Sequence, residues 1–446
     1  MASLERMRSV SSEIAEKTRI ITDYLASKGL EATSHDVDGL ADFPIPPSDV
    51  EPYMARLDLI SATRELYLLS LGPKKMLQET VWSCIDMAAL HAVWAFKVPQ
   101  AVPLQGSISF DDLTAKVVEM NKAAIGVAML RRILRLTMTN HIFTEPTKNQ
   151  VAHTRASRLL LQDASAESQV GLICDNIWPA VVSFVSALKK WPASEEPNHA
   201  PFNVAYDTEL SFFDFLSQKE NQWLSDRYNS SVKGYGEAAM SGLDQVVAGY
   251  PWGELGDKTV VDMGGNQGDV AMAIARAHPR LKFIVQDKAG MRTPESIGTV
   301  PPELADRVKL TAHDMLEPQP VVADVYFFRI VFHCFSDKYC VKILQALVPA
   351  LGKGSRVIIN DGAMPEKGTV GRVEERYLRM GDLFVATTMN SREREVGEWT
   401  DLFARADGRY QVTRVWKPQT SALYFIEAEW TGEKEESGRR GIHPRL

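Results

Sequence analysis

The sequence predicts an α/β domain with a mostly parallel sheet, preceded by a mostly helical region, because of two patterns. After Pro251, short β-branched runs alternate with helical stretches, as in successive βαβ units. Before Pro251, apolar residues recur at spacings of three and four, as on the buried face of a helix. A chain of 446 residues, 45% hydrophobic and 24% charged, has the composition of a globular protein of about two or three domains.

The N-terminal region divides into helices around a Pro-rich arm. The pattern predicts one amphipathic helix over residues 1–30, an extended arm over 35–52 and a second helix over 53–71. The stretch 76–95 is apolar on nearly all faces, so we expect a buried helix there.

A pattern of two helices and a hairpin comes next. Helices are predicted over 109–118 and over 123–138, the second with Ala128 on its buried face, and a small hairpin over 142–154. This order is typical of a winged-helix unit, and a generic helical bundle is the alternative. Residues 157–250 are predicted to be helical and are rich in aromatic side chains, a few of which could line a flat apolar pocket.

Strands are predicted in the C-terminal region where β-branched and aromatic residues cluster. The last two predicted strands lie so close together in the chain that they must pair antiparallel. We expect a Rossmann-like sheet that ends in this hairpin. The predicted strands are Thr259–Met263, Phe283–Gln286, Val308–Thr311, Val325–Arg329, Arg356–Asn360, Gln411–Trp416 and Leu423–Ala428.

Composition argues against several classes of protein and site. A net charge of −7 argues against a dedicated nucleic-acid binder and gives no support for docking on an anionic membrane. The 4 cysteines are too sparse for a disulfide scaffold, and no metal-ligand spacing occurs, so we expect a reducing compartment and no metal. We find no signal peptide or membrane-spanning stretch in the sequence and expect a cytoplasmic protein.

A glycine-rich turn at the end of the first strand predicts a nucleotide site. The turn Gly264-Gly265-Asn266-Gln267-Gly268 follows Asp262, and the second strand ends at Asp287, where a carboxylate can accept from the hydroxyls of a ribose. The Gly-x-Gly-x-x-Gly pattern of a dinucleotide site fails at Asn266 and Gln267. An acidic residue followed by Gly-Gly-x-x-Gly instead favours S-adenosylmethionine, whose sulfonium and ammonium groups are cationic.

The order of these and later motifs resembles the plant- and fungal-type small-molecule O-methyltransferases, a group that includes caffeate and flavonoid enzymes and fungal polyketide-tailoring enzymes. The likeness is close in the C-terminal half, and the N-terminal half resembles the family's dimerisation domain more loosely, through the pattern around Ala152-His153-Thr154. The C-terminal motifs are Val261–Gly268, Gln286-Asp287, His313-Asp314-Met315, the stretch from Phe328 to Asp337, Val357–Asp361 and Arg392-Glu393-Arg394-Glu395 before Trp399.

The resemblance implies a class I methyltransferase fold and an S-adenosylmethionine site. Gly264 and Gly265 would lie against the methionine part of the cofactor, and Asp287 would hold the ribose. The adenine would lie between Asp314, as a hydrogen-bonding partner, and Met315, as an apolar contact. Arg329 stands where the family has a basic residue near the adenine side.

The resemblance also implies a catalytic group of three residues. His333 would be the general base, because a neutral imidazole can accept the proton of a phenol as methyl transfer proceeds. Asp361 would neighbour His333 and orient its ring, although the family often has Glu there. Glu393 would be a second carboxylate beside the base, unless it belongs only to a solvated charge run. Many relatives have Asp-Trp or Asn-Trp after the base, where this chain has Cys334-Phe335.

We therefore predict an S-adenosylmethionine-dependent O-methyltransferase that acts on a phenolic or enolic hydroxyl of an aromatic, polyketide-like secondary metabolite, as a homodimer. Two alternatives are a cyclase that binds the cofactor without transferring methyl and a non-catalytic binding or regulatory protein. The predicted segments are a helical, winged-helix-like dimerisation domain over 1–160, a helical connector contributing to the substrate pocket over 161–250, a Rossmann-like catalytic domain over 251–430 and a flexible tail over 431–446.

Overall fold

The computed structural model describes residues 2–237, 242–288, 300–418 and 421–432. Most of the predicted tail, from residue 433 onward, lies outside the described residues. The helices are α1 (Ala2–Lys28), α2 (Val50–Ala95), α3 (Val98–Ala101), α4 (Phe110–Asn121), α5 (Val127–Thr139), α6 (Arg155–Gln162), α7 (Ala164–Gly171), α8 (Trp178–Val182), α9 (Phe184–Lys190), α10 (Pro201–Tyr206), α11 (Phe212–Leu216), α12 (Gln222–Glu237), α13 (Leu243–Gly249), α14 (Asp269–Ala277), α15 (Asp337–Leu347), α16 (Arg372–Met389) and α17 (Val396–Ala406). The strands are β1 (Ile108–Ser109), β2 (Gln150–Val151), β3 (Thr259–Met263), β4 (Lys282–Asp287), β5 (Val308–Ala312), β6 (Val325–Arg329), β7 (Arg356–Asp361), β8 (Tyr410–Trp416) and β9 (Tyr424–Trp430).

The chain forms two compact units. The first contains Met1–Trp178, Asp226–Gly234 and Gly371–Glu374, and the second contains Pro179–Ser225, Tyr235–Val370 and Glu375–Leu446. The stretch 161–250 is thus divided between both units. The predicted domain boundaries stay a prediction.

In the first unit, a short strand pair lies beside two helices. Ser109 caps α4, and its Oγ accepts a hydrogen bond from the backbone N–H of Asp112. Strand β1 pairs antiparallel with β2, and Thr144 forms an antiparallel bridge with Ala152. Phe110 from α4 and Leu130 from α5 are buried in the same apolar cluster. The predicted local order of helices and strands is therefore present.

The structure corrects the prediction for residues 76–95. They belong to α2, which continues from Val50 through a break at Gly72, where φ is 72° and Pro73 follows. The predicted burial is wrong for the first half of this stretch, because the side chains of Leu77, Val81 and Trp82 are 64%, 70% and 63% exposed, whereas Ala89 and Val93 near its end are buried. Ala128 of α5, expected on a buried face, is also exposed. An apolar sequence indicates that a helix face is to be buried, but not which surface buries it.

The second unit is built on a seven-stranded mixed sheet. Its strand order is β5-β4-β3-β6-β7-β9-β8, with parallel pairing from β5 to β7 and antiparallel pairing for β7–β9 and β9–β8. The predicted parallel sheet with a terminal hairpin is confirmed. Since successive strands leave β3 in opposite directions, the β3–β6 boundary is where an open α/β sheet forms its ligand crevice.

Apolar side chains cover both faces of this sheet. Along β6, Val325 and Phe327 join one buried cluster, whereas Tyr326 and Phe328 join the other. This alternation follows from the two-residue period of a strand. The carboxyl end of β6 is thereby held between two packed layers, which gives the residues that follow it a fixed position.

No single helix among the described residues is long and apolar enough to cross a membrane. Two consecutive helical stretches, residues 164–182 and 184–190, meet that test of length and composition only when taken together. The cytoplasmic location expected from the sequence stays a prediction.

Candidate active site at the carboxyl ends of the parallel strands

The glycine turn after β3 is packed tightly against the sheet. Gly264 has a φ of 73°, a conformation that side chains other than glycine rarely adopt. A Cβ atom added at Gly265 would lie 2.6 Å from both Asp262 Oδ2 and Val285 Cγ1. The absence of side chains here keeps backbone N–H groups and the start of α14 open to a ligand.

Asp287 ends β4, the neighbour of β3, and its carboxylate reaches the glycine turn. Oδ2 accepts a hydrogen bond from the backbone N–H of Asn266 at 2.8 Å, and Oδ1 accepts one from Lys288 at the same distance. The acid predicted to hold a ribose therefore also fixes the shape of the loop. The structure brings Asp262, the two glycines and Asp287 together, as expected.

Asp314 and Met315 follow β5 and lie next to this loop. Met315 Cε is 3.2 Å from the position of a Cβ at Gly264. Asp314 Oδ1 accepts from the N–H of Leu316 at 3.0 Å, and its Oδ2 lies 3.4 Å from Lys288 Nζ.

Lys288 was missed by the sequence analysis. Its Nζ also lies 3.1 Å from Asp214 Oδ1 on α11, so it joins that helix to the edge of the proposed adenosine site. Burial lowers the pKa of Lys288, but Asp214 and Asp314 outweigh it and the net pKa is raised. Its position directly after Asp287, the acid predicted to hold the ribose, was the sequence signal that could have identified it.

Arg329, expected on the adenine side of the cofactor, follows a different strand from Asp287 and Asp314, and its expected role stays a prediction. It ends β6, whereas β4 and β5 lie on the other side of β3. Its Nε donates to Asn360 Oδ1 at 3.2 Å. Burial lowers the pKa of Arg329, and the charges of Asp262 and Asp361 oppose that shift only in part. Arg329 thus balances two acids at the centre of the sheet edge.

His333 lies in a short 3-10 turn, Phe332–Cys334, immediately after β6. The carboxylate of Asp361, at the end of neighbouring β7, holds this turn. Asp361 Oδ2 accepts hydrogen bonds from the backbone N–H groups of Val331 and His333, both at 3.2 Å. The predicted adjacency of Asp361 and His333 is present, but these hydrogen bonds are to the backbone rather than to the ring.

Glu393 is the hydrogen-bond partner of the imidazole. His333 Nδ1 donates to Glu393 Oε1 at 2.9 Å, an assignment that leaves Nε2 as the acceptor in the neutral ring. The backbone N–H of Glu393 donates to Asp382 Oδ1 of α16 at 2.8 Å. A Cβ at Gly362 would lie 2.8 Å from Glu393 Oε2, so this glycine leaves room for the carboxylate.

The charges around His333 favour its protonated form. Burial alone lowers its pKa, but Cys334, Asp361 and Glu393 raise it, and the net pKa lies well above the usual 6.5. The pKa of Asp361 is raised by burial and by the nearby charge of Glu393, while His333 opposes that shift. The cluster therefore retains a proton to a higher pH than a solvent-exposed histidine would.

The same three side chains have a spacing that a metal ion could also use. One potential ligand atom each from His333, Asp361 and Glu393 lie within 4.8 Å of one another. However, His333 Nδ1 and Glu393 Oε1 are bonded to each other, and Asp361 Oδ1 accepts from Gly362 N at 2.9 Å. This hydrogen bonding favours proton transfer, and the expectation of a metal-free site stays a prediction.

Comparison with known proteins decides which family this geometry belongs to. Residues 191–408 match the O-methyltransferase domain family. The grayanic acid biosynthesis cluster O-methyltransferase of Cladonia grayi is 34% identical over 432 residues, which cover 96% of this chain and 89% of that protein. The chain belongs to the O-methyltransferase family.

Further O-methyltransferase relatives share nearly the whole length. The chlorophenol O-methyltransferase of Trichoderma longibrachiatum is 32% identical over 95% of this chain and 90% of its own. The crystal structure of OxaC in complex with sinefungin and meleagrin has the same fold, with a TM-score of 0.73 and 22% identity, covering 94% of this chain and 98% of that one. The predicted family, the enzyme class and the link to secondary metabolism are confirmed. O-Methyltransferases of this family use S-adenosylmethionine.

Proposed function

We propose that the protein binds S-adenosylmethionine at the glycine turn and uses His333 as general base to methylate a phenolic or enolic hydroxyl of an aromatic, polyketide-like metabolite. The single observation that carries this is the Nδ1–Oε1 hydrogen bond of His333 to Glu393, at the strand ends that also carry the glycine turn. The name of the chlorophenol O-methyltransferase from Trichoderma longibrachiatum supports a phenol-type acceptor.

The residues around the glycine turn fit the cofactor. Gly264 and Gly265 leave space that side chains would fill, and Asp287 can accept from ribose hydroxyls. Among the described residues, Asn266 Oδ1 and His313 Nε2 are buried polar atoms without a hydrogen-bond partner, next to Asp287 and Asp314. Bound adenosine would supply polar groups at that place. In this proposal Asp314 bonds the adenine and Met315 packs on it.

The cofactor supplies an electrophilic methyl group, and the protein's own residues handle the proton. A phenol, with an ordinary pKa of about 10, is a poor nucleophile until its proton is removed. His333 Nε2 accepts that proton while Nδ1 stays bonded to Glu393, whose negative charge stabilises the imidazolium. Asp361 keeps the turn in place through two backbone hydrogen bonds. Positioning and exclusion of water supply the rest.

The exposed apolar face of α2 supports a homodimer. Leu77, Val81, Trp82 and Ile85 are 64%, 70%, 63% and 48% exposed, and their successive spacings of four, one and three residues place them on one side of the helix. Large exposed apolar patches mark association surfaces. The proposal is that this surface pairs with that of a second copy and that the first unit, with its winged-helix-like order, is the dimerisation domain.

Replacement of His333 tests the proposal. His333→Ala should lower turnover by about 10²–10⁴ and leave the Kd for S-adenosylhomocysteine within about two-fold, because the ring handles the proton and does not hold the cofactor. The assay uses methyl-labelled S-adenosylmethionine with a panel of phenols, read by mass spectrometry. His278→Ala, at the far end of α14, is the matched control.

Two outcomes would contradict the proposal. Full turnover in His333→Ala would show that His333 is not the general base. A product that is an unlabelled isomer of the substrate would instead support a cyclase that binds the cofactor without transferring methyl.

A further inference from the structure

We propose that Arg394 is a positioning residue: it holds the turn that carries His333 through the carbonyl groups of that turn, while its neighbour Glu393 orients the imidazole ring. This inference rests on the proposed function, because it assigns Arg394 a role that acts only through the base. Arg394 is 1% exposed, and the sequence pattern assigned it no role beyond membership of the Arg392-Glu393-Arg394-Glu395 motif.

Arg394 donates to the carbonyl groups on both sides of His333. Its Nη1 lies 2.9 Å from Phe332 O, and its Nη2 lies 2.7 Å from Phe335 O. Nη2 also contacts Cys340 Sγ at 3.1 Å. The two ends of the 3-10 turn are therefore held by one rigid, planar group.

All the donors of the guanidinium have acceptors. Besides these contacts, Nε donates to Asp337 Oδ1 at 2.9 Å and Nη1 to Arg392 O at 3.4 Å. Five acceptors match the five N–H groups of a guanidinium. Arg394 Cζ also lies over the ring of Trp399, 5.5 Å from its centroid. Lysine offers three donors around a point charge and could not reproduce this fork.

Asp337 makes the burial of Arg394 possible. It starts α15 and accepts from Arg394, Arg392 and Arg405. Burial alone raises the pKa of Asp337, but Arg394 and Arg392 outweigh burial and the net pKa is lowered. The carboxylate is therefore charged at neutral pH and compensates the buried guanidinium.

Because Glu393 and Arg394 are adjacent in the chain, the contact to the His333 ring and the contacts to its turn are mechanically linked. Glu393 reaches the imidazole of His333, while Arg394 reaches the carbonyl groups of Phe332 and Phe335. Backbone hydrogen bonds anchor this segment: Glu393 N donates to Asp382 Oδ1, and Arg394 O accepts from Met364 N at 2.8 Å. A small change at Arg394 should thus move His333 Nδ1 relative to Glu393 Oε1.

The chain offers a matched pair of variants. Arg394→Lys keeps the charge near Asp337 but loses the fork on Phe332 O and Phe335 O. Arg405→Lys changes another arginine bound to Asp337, one that is half exposed and that donates to Asp337 rather than to those carbonyls. Asp337→Asn serves as a second route to the same defect if Arg394→Lys yields no folded protein.

The expected results separate positioning from general stability. Arg394→Lys, or Asp337→Asn in its place, should lower kcat about 10- to 100-fold, leave KM for S-adenosylmethionine within about two-fold, and move the acidic limb of the pH profile toward 6.5 as His333 loses its alignment with Glu393. Arg405→Lys should leave both kcat and the pH profile unchanged.

A double-mutant cycle gives the decisive comparison. If Arg394 acts through the base, adding Arg394→Lys to His333→Ala should not lower the residual turnover further. An additive loss, or an Arg394→Lys enzyme with unchanged kcat and pH profile, would overturn this inference. Full activity in His333→Ala alone would instead overturn the proposed function, so the two failures are distinguishable.

Discussion

The imidazole of His333 is set between two carboxylates that act on different parts of it. Glu393 bonds the ring, and Asp361 bonds the backbone on which the ring stands. A ring that turns out of line with Glu393 loses both its tautomer and the charge that favours the imidazolium. Catalysis by His333 therefore depends on two separate contacts, one that orients the ring and one that holds the turn.

The pH profile should report the charges around His333. Because the base must be unprotonated and its pKa lies well above 6.5, kcat/KM should rise with pH through a limb above that value. Glu393→Gln removes the carboxylate whose hydrogen bond raises this pKa, so the limb should move to lower pH while maximal turnover falls about 10-fold or more. The exposed Glu395→Gln is the control. A limb that stays in place in Glu393→Gln would contradict the assigned contact.

Asp287 should matter for cofactor affinity rather than for the proton. Asp287→Asn keeps an oxygen for the N–H of Asn266 but loses the charge that strengthens hydrogen bonds to ribose hydroxyls. We expect the Kd for S-adenosylhomocysteine, measured by calorimetry, to rise about 10-fold or more. Asp306→Asn, an exposed acid before β5, should leave it unchanged. An unchanged Kd in Asp287→Asn would exclude the ribose assignment.

At the level of elements, the turn from β3 to α14 determines whether a cofactor can approach the sheet. The turn is tight because Asp262 and Val285 close it from two neighbouring strands. The shape of the proposed cofactor site is therefore a property of strand pairing as well as of the glycines.

Gly265→Ala should test this element. The added Cβ would meet Asp262 and Val285 at 2.6 Å, so the turn must shift, and we expect cofactor binding to weaken about 10-fold or more while the fold is retained. Gly381→Ala, in α16 with no heavy atom near the added Cβ, is the matched control and should leave binding unchanged. Calorimetry and circular dichroism read the two properties. Normal affinity in Gly265→Ala would show that the loop does not hold the cofactor.

At the scale of the molecule, the exposed apolar side of α2 is a feature of the described residues that a single chain does not explain. Its apolar side chains raise the free energy of an isolated chain in water, and covering them would release that cost. The proposed homodimer gives a direct physical reason for this part of the sequence.

Charged substitutions on α2 should shift the protein to a monomer. Val81→Asp combined with Trp82→Glu places two charges on the proposed interface, so light scattering should show about half the mass of the wild type. Lys116→Glu, an exposed change on α4, should leave the mass unaltered. Equal masses for wild type and the Val81/Trp82 variant would refute this interface.

Local sequence patterns were sufficient for the catalytic sheet. Val325–Arg329 matches β6 at both ends, because a buried parallel strand is a continuous apolar run with a sharp change at its end. Before β5, the prolines limit regular hydrogen bonding, and the chain forms only one 3-10 turn, Pro302–Leu304. The burial predicted for residues 76–95 failed over the first half of that stretch, because burial is a property of neighbours rather than of composition.

The order of acids, glycines and His333 along the chain determined the family, the strand ends at which the site forms and the candidates for cofactor and base. Tertiary structure alone decided that Glu393, 60 residues after His333, bonds its ring, that Asp361 bonds its backbone and that Lys288 reaches Asp214. The physical reason is that the local strand pattern determines at which strand end and on which face of the sheet a side chain lies. Which partner it meets depends on the loop that packing brings across the sheet edge.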